Sequence, residues 1–410
     1  MDIGALGVYI CLFAALYFEV FLLISFFENR PAQKTTELPK RFPTVSIIVP
    51  SFNEEVTIAQ TVHSLLTLDY PKDKLDIMIV DDGSTDATGA IGKKLALEHA
   101  QVHYLYKPNG GKYTALNLGI EASTAELVGC LDADSFTSSD ALIEVVKRFE
   151  EDPGVMAIMP AMKVYRPKSM LERMQAVEYS FGVFYKKMFD NLAALNVLPG
   201  PFSLYKREVF EKIGLFHHAH NTEDMEIAFR MHAHGLKIVN AHTATVYTTV
   251  PKTVRALLKQ RTRWSQGFLE NLRDYKYMLL NPRYGNFGLL VLPFGLFAFF
   301  SGLYSALYVA YTVASRIINR GLDMWATQIP LHITTPHLNF FYVDTSMMMF
   351  TTVIVLCFTF VAIVLGNRIA QNKISVFSFI SYFALFGFIA PIWLARAAWG
   401  AVRASPASWR

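Results

Sequence analysis

The sequence predicts an α/β domain built on a doubly wound, Rossmann-like parallel sheet and flanked by transmembrane helices, one N-terminal and about three C-terminal. Three observations predict this architecture. Apolar runs alternate with helical stretches between residues 44 and 281, which is the rhythm of βαβ units. Acid-rich turns follow several of those runs, as expected where open α/β sheets bind ligands. Long apolar stretches lie at both ends of the chain, and 52% of its 410 residues are hydrophobic, too many for an ordinary soluble protein.

The first long apolar stretch, residues 3–27, is long enough to cross the roughly 30 Å hydrocarbon core of a bilayer. It has no basic residue before it and no small-residue cleavage site after it, so a signal peptide is disfavoured. Arg30, Lys34 and Lys40 follow the stretch, and the positive-inside rule then places the next domain in the cytosol. We therefore expect an integral protein of the inner or plasma membrane with a cytoplasmic central domain.

Four apolar runs predict the strands of that domain, at residues 45–49, 76–80, 102–106 and 126–131. Helical stretches separate them, which requires the crossover connections of a parallel sheet. We divide the chain into an N-terminal transmembrane helix (1–28), the cytosolic α/β domain (29–250), interfacial amphipathic helices (251–284) and a C-terminal transmembrane region (285–410).

The C-terminal region contains apolar stretches at about residues 288–315, 341–366 and 376–399, each long enough to span a bilayer. Arg396, Arg403 and Arg410 cluster on the side that this count places outside the cell, against the positive-inside rule. The alternative is that the stretch containing Pro293 is re-entrant or interfacial, and the sequence leaves both topologies open.

Composition excludes several classes of protein. A net charge of +4 without a block of Lys and Arg gives no reason to expect nucleic acid as a partner. The three cysteines are scattered in apolar runs, so they form neither a metal-binding spacing nor a disulfide framework.

Two carboxylates, Asp132 and Asp134, follow directly after the fourth apolar run. Residues i and i+2 of a strand point to the same side, so these acids can converge on one cation. Carboxylate oxygens suit Mg²⁺ or Mn²⁺, which usually keep water and ligand phosphates as their other ligands. The motif therefore predicts a metal–diphosphate site, although an Asp-rich turn that caps the helix at about residues 140–150 is an open alternative.

Two further loops carry polar side chains at the same predicted edge. Asp82 follows the second strand in a turn with Gly83, where a carboxylate can accept hydrogen bonds from a nucleobase or a ribose. Lys112 follows a double glycine and precedes a helix, where it can meet a phosphate. An Asx turn and a solvated lysine are the respective alternatives.

The segment Thr222, Glu223 and Asp224 opens a helix. Thr222 suits the N-cap, and the two acids suit the first turn through the helix dipole. The functional interpretation makes Asp224 a general base that takes a proton from an attacking hydroxyl group. From this motif alone, both interpretations stay open.

An amphipathic helix over residues 251–267 is predicted to lie on anionic lipid. Gln260, Arg263 and Trp264 stand at i, i+3 and i+4 and therefore share one face of it. Arginine offers a planar fork to a diphosphate, and tryptophan offers a flat apolar surface to a sugar ring.

These motifs, in this order, resemble those of the processive membrane synthases of glycosyltransferase family 2, which make cellulose, chitin, hyaluronan and poly-N-acetylglucosamine. The matching pieces are Asp-Asp-Gly-Ser at residues 81–84, Gly-Lys-x-x-Ala-x-Asn at 111–117, Asp-Ala-Asp at 132–134, Thr-Glu-Asp at 222–224 and Gln-Arg-Thr-Arg-Trp at 260–264. The last two, with their flanks, look most similar to poly-N-acetylglucosamine synthases.

The resemblance implies a GT-A fold and a hexosyltransferase that depends on Mg²⁺ or Mn²⁺. It would transfer a sugar, with N-acetylglucosamine as the first candidate, from a UDP-sugar onto a growing β-linked polysaccharide, with inversion and coupled export. By this resemblance the catalytic residues are Asp224, Glu223 and Thr222, and the metal ligands are Asp134 and Asp132. The nucleotide-sugar site comprises Pro50, Asn53, Glu54, Asp82, Lys112, Asp132, Gln260, Arg263 and Trp264.

Two alternatives remain at this stage. A non-processive transferase would add one sugar to a polyprenyl phosphate, and a nucleotide-sensing membrane scaffold would lack catalysis. The expected partners are a UDP-sugar donor, a glycan acceptor and the lipid bilayer. Because four spans are few for a monomeric export channel, a homo-oligomer or an accessory export subunit completes the list.

Overall fold

The computed structural model describes residues 3–29, 37–328, 346–372 and 375–403. The strands are β1 (Val45–Ser51), β2 (Leu75–Asp81), β3 (Val102–Tyr106), β4 (Leu127–Cys130), β5 (Ser135–Thr137), β6 (Val155–Val164), β7 (Ser203–Lys206) and β8 (Lys237–Thr248). The helices are α1 (Ile3–Glu28), α2 (Ile58–Leu66), α3 (Thr88–Glu98), α4 (Lys112–Ala122), α5 (Ala141–Glu151), α6 (Met170–Asn191), α7 (Glu208–Ile213), α8 (Glu223–Ala233), α9 (Val254–Asp274), α10 (Leu292–Thr327), α11 (Met347–Ile369) and α12 (Val376–Arg403).

All of these strands join one sheet in the order β3-β2-β1-β4-β7-β6-β8-β5. The first four run parallel, as the sequence predicts, but β7 runs antiparallel to both β4 and β6, and β5 runs antiparallel to β8. The prediction of an entirely parallel sheet is therefore wrong for the second half. There the amide of Phe202, after the turn at Gly200 and Pro201, donates to the carbonyl of Cys130 and starts β7 back along β4.

The α/β character follows from strands that are apolar on both faces. Alternate residues of β1 belong to different cores: Ile47 packs in the cluster under α2 and α5, and Ile48 packs in the cluster under α4 and α8. The register pairs Ser51 with Asp81, and the amide of Leu131 donates to the carbonyl of Ile48. The carboxyl ends of β1, β2 and β4 therefore lie at the same edge.

Within the part of the chain that the structure describes, four helical segments are long and apolar enough to cross a membrane, namely 3–28, 287–327, 347–369 and 376–403. The prediction of one N-terminal and three C-terminal spans is confirmed at this level. The second segment continues to Thr327, whereas the apolar pattern of the sequence predicts an end at about residue 315. Arg30, Lys34, Arg410 and residues 341–345 lie outside the described residues.

Helix α6 joins the sheet to the membrane helices. Val183 packs with Ala161 of β6, while Met174 and Val177 pack in a cluster with Trp393 of α12. A Cβ atom on Gly366 of α11 would lie closer to the α6 backbone than any van der Waals contact permits, so glycine is needed for this approach. Helix α6 therefore packs against the sheet on one side and against the C-terminal helices on the other.

Candidate active site

A cavity of about 990 Å³ opens at the edge of the sheet where β1, β2 and β4 end, with α6 and α9 as further walls. Of the site residues predicted from the sequence, all except Asn53 line it, namely Pro50, Glu54, Asp82, Lys112, Asp132, Asp134, Thr222, Glu223, Asp224, Gln260, Arg263 and Trp264. Acids far apart along the chain thus face one cavity together with the tryptophan-bearing helix.

Asn53 holds a turn beside the cavity. Its φ is 55°, in the left-handed region that asparagine tolerates better than most residues. Its amide donates to Ser84 Oγ at 3.0 Å, and its Oδ1 accepts from the amide of Thr85 at 2.9 Å. Asn53 therefore ties the turn after β1 to the turn after β2 and orients the chain that carries Glu54.

The carboxylate of Asp82 is engaged by the loop that precedes Lys112. Its oxygens accept hydrogen bonds from the amides of Gly110 at 3.0 Å and Gly111 at 2.9 Å, and from Lys107 Nζ at 2.5 Å. Gly83 has a φ of +80°, and a Cβ there would lie 2.7 Å from the amide nitrogen of Asn109. Asp82 thus shapes the loop that precedes Lys112. Only the remaining lone pairs of its carboxylate oxygens can accept hydrogen bonds from a ligand.

Lys112, the first residue of α4, links two acids from different parts of the chain. Its Nζ lies 2.6 Å from Asp132 Oδ1 and 3.1 Å from Glu223 Oε1. Burial alone would lower the pKa of Lys112, but Asp132 and Glu223 outweigh it and hold that pKa well above its usual range. Burial would likewise raise the pKa of Glu223, yet Lys112 keeps it lowered overall. Both groups are therefore charged at neutral pH.

Asp134 is a carboxylate of the cavity whose negative charge is incompletely compensated. Burial first, and then the charges of Asp132 and Glu54, raise its pKa to about 6. Hydroxyl groups of Ser135 and Thr249 donate to it at 3.2 and 3.3 Å. Since β5 follows at once and α5 begins at Ala141, the alternative that this acidic pair caps α5 is wrong.

This donor set fits a hard divalent cation, because a cation between repelling carboxylates would relieve the strain that raises the pKa of Asp134. Among the residues that the structure describes, no group of three or more His, Cys, Asp or Glu side chains is arranged to hold a metal ion. Asp132 and Asp134 would therefore hold an ion such as Mg²⁺ or Mn²⁺ only with further oxygen ligands from a phosphate or from water.

Thr222 is the N-cap residue of α8, but its hydroxyl group forms no hydrogen bond to the first amides of the helix. Instead, Thr222 Oγ1 donates to the carbonyl of Ala219 at 3.1 Å and accepts from Asn271 Nδ2 of α9 at 2.9 Å. A Cβ on Gly267 would lie 2.4 Å from Thr222 Cγ2, so glycine allows α9 to pack directly on this residue. Thr222 therefore occupies the predicted N-cap position, and its side chain fixes the start of α8 against α9.

Asp224 lines the cavity and is half-buried. Burial, and then the charge of Glu223, raise its pKa to about 6, although Lys112 and Arg263 oppose the shift. Its Oδ1 accepts a hydrogen bond from the amide of Met225 at 2.9 Å, which fixes the carboxylate at the first turn of α8. A carboxylate with such a pKa is ionised at neutral pH and accepts a proton more readily than an ordinary aspartate.

Gly182, Lys186 and Gly200 are among the lining residues that sequence reasoning missed. A Cβ on Gly200 would lie 2.5 Å from both Asp132 Oδ1 and Lys112 Nζ, so glycine lets this turn close over the ion pair; the Gly-Pro sequence signals only the turn. Lys186 of α6 has a pKa lowered to about 8 by burial, with Asp224 opposing the shift. A Cβ on Gly182 of α6 would meet no atom within 4 Å. Nothing in the helical periodicity indicates that Lys186 and Gly182 face a cavity.

Comparison with known proteins adds three findings. Residues 46–214 match the model of glycosyl transferase family 2. The chain is 32% identical over 233 residues to a poly-beta-1,6-N-acetyl-D-glucosamine synthase of Staphylococcus epidermidis, with 56% of each protein covered. It is 31% identical over 242 residues to the protein of the same name in Staphylococcus aureus strain COL, with 58% of each covered. The chain thus spans a little more than half the length of the curated relatives it matches.

A solved structure resembles almost the whole chain. It is a mannosyltransferase from Pyrobaculum calidifontis in complex with GDP-Man and Mn²⁺, with a TM-score of 0.66, 20% sequence identity and coverage of 98% of this chain and 99% of that one. At this identity the likeness shows the fold alone. The predicted GT-A-type architecture with membrane helices is confirmed.

Two of the glycines that line the cavity, Gly200 and Gly182, give opposite predictions. Gly200→Ala should lower the free energy of unfolding by about 1–3 kcal/mol, because its methyl group would collide with the ion pair of Asp132 and Lys112. Gly182→Ala should raise it by about 1 kcal/mol, because alanine is the better helix former and meets no neighbour. Unfolding of the two full-length variants in detergent measures both, and changes of equal sign would contradict the geometry described here.

Proposed function

Residues 46–214 form a glycosyl transferase family 2 domain in a chain with four candidate membrane spans, and on this premise we propose an inverting, processive polysaccharide synthase. It transfers a sugar from a UDP-sugar onto a growing β-linked glycan at the membrane. The match to the family model and the similarity to the two synthases support the family recognised from the motifs; the reaction is our proposal. The observation that carries it is the single cavity shared by Asp132, Asp134, Asp224 and Trp264.

The proposed donor is UDP-N-acetylglucosamine. Both curated relatives described above are named as poly-beta-1,6-N-acetyl-D-glucosamine synthases, and the similarity to each extends over more than 230 residues of this chain. That similarity supports a sugar with the same acetamido group. The cavity volume of about 990 Å³ leaves room for a nucleotide-sugar and a terminal acceptor sugar together.

Asp134 and Asp132 would hold Mg²⁺ or Mn²⁺ together with the diphosphate of the donor. When bound, such an ion stabilises the negative charge that develops on the leaving nucleoside diphosphate. Lys112 and Arg263 line the same cavity and supply further positive charge for that group. Because Lys112 already contacts Asp132 at 2.6 Å, it lies beside the position where the diphosphate would bind.

Asp224 is the proposed general base. It accepts the proton of the acceptor hydroxyl as that oxygen forms a bond to the anomeric carbon. The bond from the anomeric carbon to the phosphate oxygen breaks on the opposite face, and UDP leaves with the electron pair. One displacement inverts the configuration, so an α-linked donor gives a β-linked product. Glu223 contributes by holding Lys112 at 3.1 Å.

Gln260, Arg263 and Trp264 of α9 form the proposed wall for the diphosphate and for the acceptor sugar. An enzyme that adds one sugar to a lipid phosphate does not need a glycan platform of this kind, which favours polymer synthesis. Lys40 and Arg41 follow α1, so we propose that the catalytic domain is cytoplasmic. Export of the glycan, through a homo-oligomer or with an accessory subunit, belongs to the same proposal.

Product length tests the function directly. Purified full-length protein is incubated with a panel of UDP-sugars and either Mg²⁺ or Mn²⁺. We expect polymer from UDP-N-acetylglucosamine and none after chelation with EDTA, because the paired aspartates need the ion to hold the diphosphate. A single sugar transferred to an added polyprenyl phosphate would replace the proposal with the lipid-carrier alternative. If neither product forms while nucleotide binding is intact, the result would favour a non-catalytic scaffold.

Asp224→Asn should lower the rate of polymer synthesis by about 100- to 10,000-fold, because an amide cannot accept the proton of the acceptor. Binding of UDP-sugar, measured by titration calorimetry, should survive, since the diphosphate contacts other residues. Asp73→Asn makes the same change at an exposed position outside the cavity and should leave both quantities unaltered. Normal turnover by Asp224→Asn would remove this residue from the role of base.

The pH profile follows from the raised pKa of Asp224, which is about 6. The base acts only when ionised, so activity should be present above pH 6 and lost as the pH falls through that value. Measuring kcat/KM between pH 5 and 8 at saturating metal, which keeps Asp134 ionised, should give a fall of about tenfold per pH unit on the acid side. An acid limb near pH 4, typical of an exposed aspartate, would contradict the assignment.

A further inference from the structure

We infer that Arg261, the second residue of the motif at 260–264, is a positioning residue that orients Gln260 and Trp264 toward the cavity. This inference rests on the function proposed above, and it assigns to that site a residue which does not line the cavity. Arg261 stands behind the wall formed by its neighbours and is only 3% exposed.

Arg261 binds three groups at once. Its Nη2 donates to Glu178 Oε2 of α6 at 2.9 Å, and its Nη1 donates to Gln260 Oε1 at 2.9 Å. Its guanidinium carbon lies 4.2 Å from the centre of the Trp264 ring, well within the range of a cation–π interaction. One planar cation therefore connects two residues of the cavity wall to a third element of the fold.

The contact with Gln260 settles which end of its amide faces away from Arg261. A guanidinium group has donors and no acceptor, so Gln260 must present its oxygen to Arg261. The NH₂ group, with two donors, is then left on the other side of the amide. Since Gln260 lines the cavity, these donors are available to the oxygens of a diphosphate or of a sugar. Without Arg261, the amide could turn and offer its acceptor oxygen instead.

The contact with Trp264 leaves one face of the indole for a ligand. Arg261 covers the other face, and a stacked guanidinium restricts rotation of the ring about its side-chain bonds. Trp264 also lines the cavity, so the uncovered surface is the one on which a sugar ring can lie. Arg261 thereby holds a flat platform in place before the acceptor binds, which lowers the entropy cost of binding.

Glu178 is the fixed point of this arrangement. It belongs to α6, lines the cavity beside Tyr179, and its side chain is 23% exposed. The Tyr179 ring centre lies 6.0 Å from the Arg261 guanidinium carbon, so Arg261 contacts α6 at two neighbouring residues. Because the Arg261 side chain is almost fully buried, removal of either charge would leave the other poorly compensated. The orientation of the cavity-wall residues on α9 therefore depends on the contacts that Arg261 makes with α6.

The test compares substitutions that separate positioning from stability. Arg261→Met removes the fork and the stack, and Arg261→Lys keeps the charge but cannot make the planar contacts. The double variant Arg261→Met with Glu178→Gln removes both charges and so avoids an uncompensated buried carboxylate. Arg273→Met, at an exposed position on the same helix, is the control.

We expect Arg261→Met, Arg261→Lys and the double variant to shorten the polymer and to lower kcat/KM about tenfold, with wild-type values for Arg273→Met. Added to a variant that carries both Gln260→Ala and Trp264→Ala, the change Arg261→Met should cost less than about twofold more, because the two groups through which Arg261 acts are already removed. The inference is overturned if the folded fraction of these variants keeps wild-type product length and KM, or if the two losses multiply in full.

A measurement without turnover separates this inference from the proposed function. The emission of Trp264, taken as the difference between wild type and Trp264→Phe, should change in intensity or wavelength when Arg261 is replaced by Met. If the wild type makes no polymer but this emission changes, the proposed function fails and the positioning role stands. If the emission is unaltered, Arg261 does not hold the ring, whatever the enzyme makes.

Discussion

Compensation of charge at the carboxyl edge of the sheet is the constraint on which the rest of the structure depends. Acidic side chains from separate parts of the chain face one cavity: Glu54, Asp82, Asp132, Asp134, Glu178, Glu223 and Asp224. Buried like charges repel strongly, so the fold must bring cations to them. Lys112 meets two of these acids and Arg261 meets a third, and each cation comes from a different element than its partner. The pKa of Asp134, raised to about 6 by burial and by its acidic neighbours, marks a place where this compensation is incomplete, and a divalent ion fits there.

Part of this arrangement is visible in the sequence. Asp132 and Asp134 follow a run too apolar to be anything but a buried strand, and their spacing alone puts both on one side. The bounds of the third strand, Val102–Tyr106, agree residue for residue with the prediction. The order of strands does not follow from such patterns, since periodicity reports burial and carries no direction. The reversal at β7 depends on a contact between Phe202 and Cys130, 72 positions apart, which no local signal encodes.

The residues that support the cavity wall cannot be predicted from the sequence, for the same reason. Helical periodicity shows which residues are apolar but not what covers each face, so it does not indicate that Tyr179 and Lys186 of α6 reach the cavity. The position of Arg261 in an amphipathic helix likewise does not indicate that its side chain is buried. Its burial depends on Glu178, 83 positions away. The need for glycine at positions 200 and 267 becomes clear only from the atoms that a Cβ would contact there.

Helix α6 lies between two environments, and this has a consequence for how the protein can change. From Leu171 to Asn191, all of which the structure describes, no residue is exposed: one side faces the cavity or the sheet and the other faces the membrane helices. Most helices have a solvent side on which substitutions accumulate at little cost. In α6, almost every replacement changes a contact with the cavity, with the sheet or with a neighbouring apolar helix. Divergence among descendants of this chain should therefore be slow along α6, and a designer who wishes to alter the product would need to change both sides of that helix together.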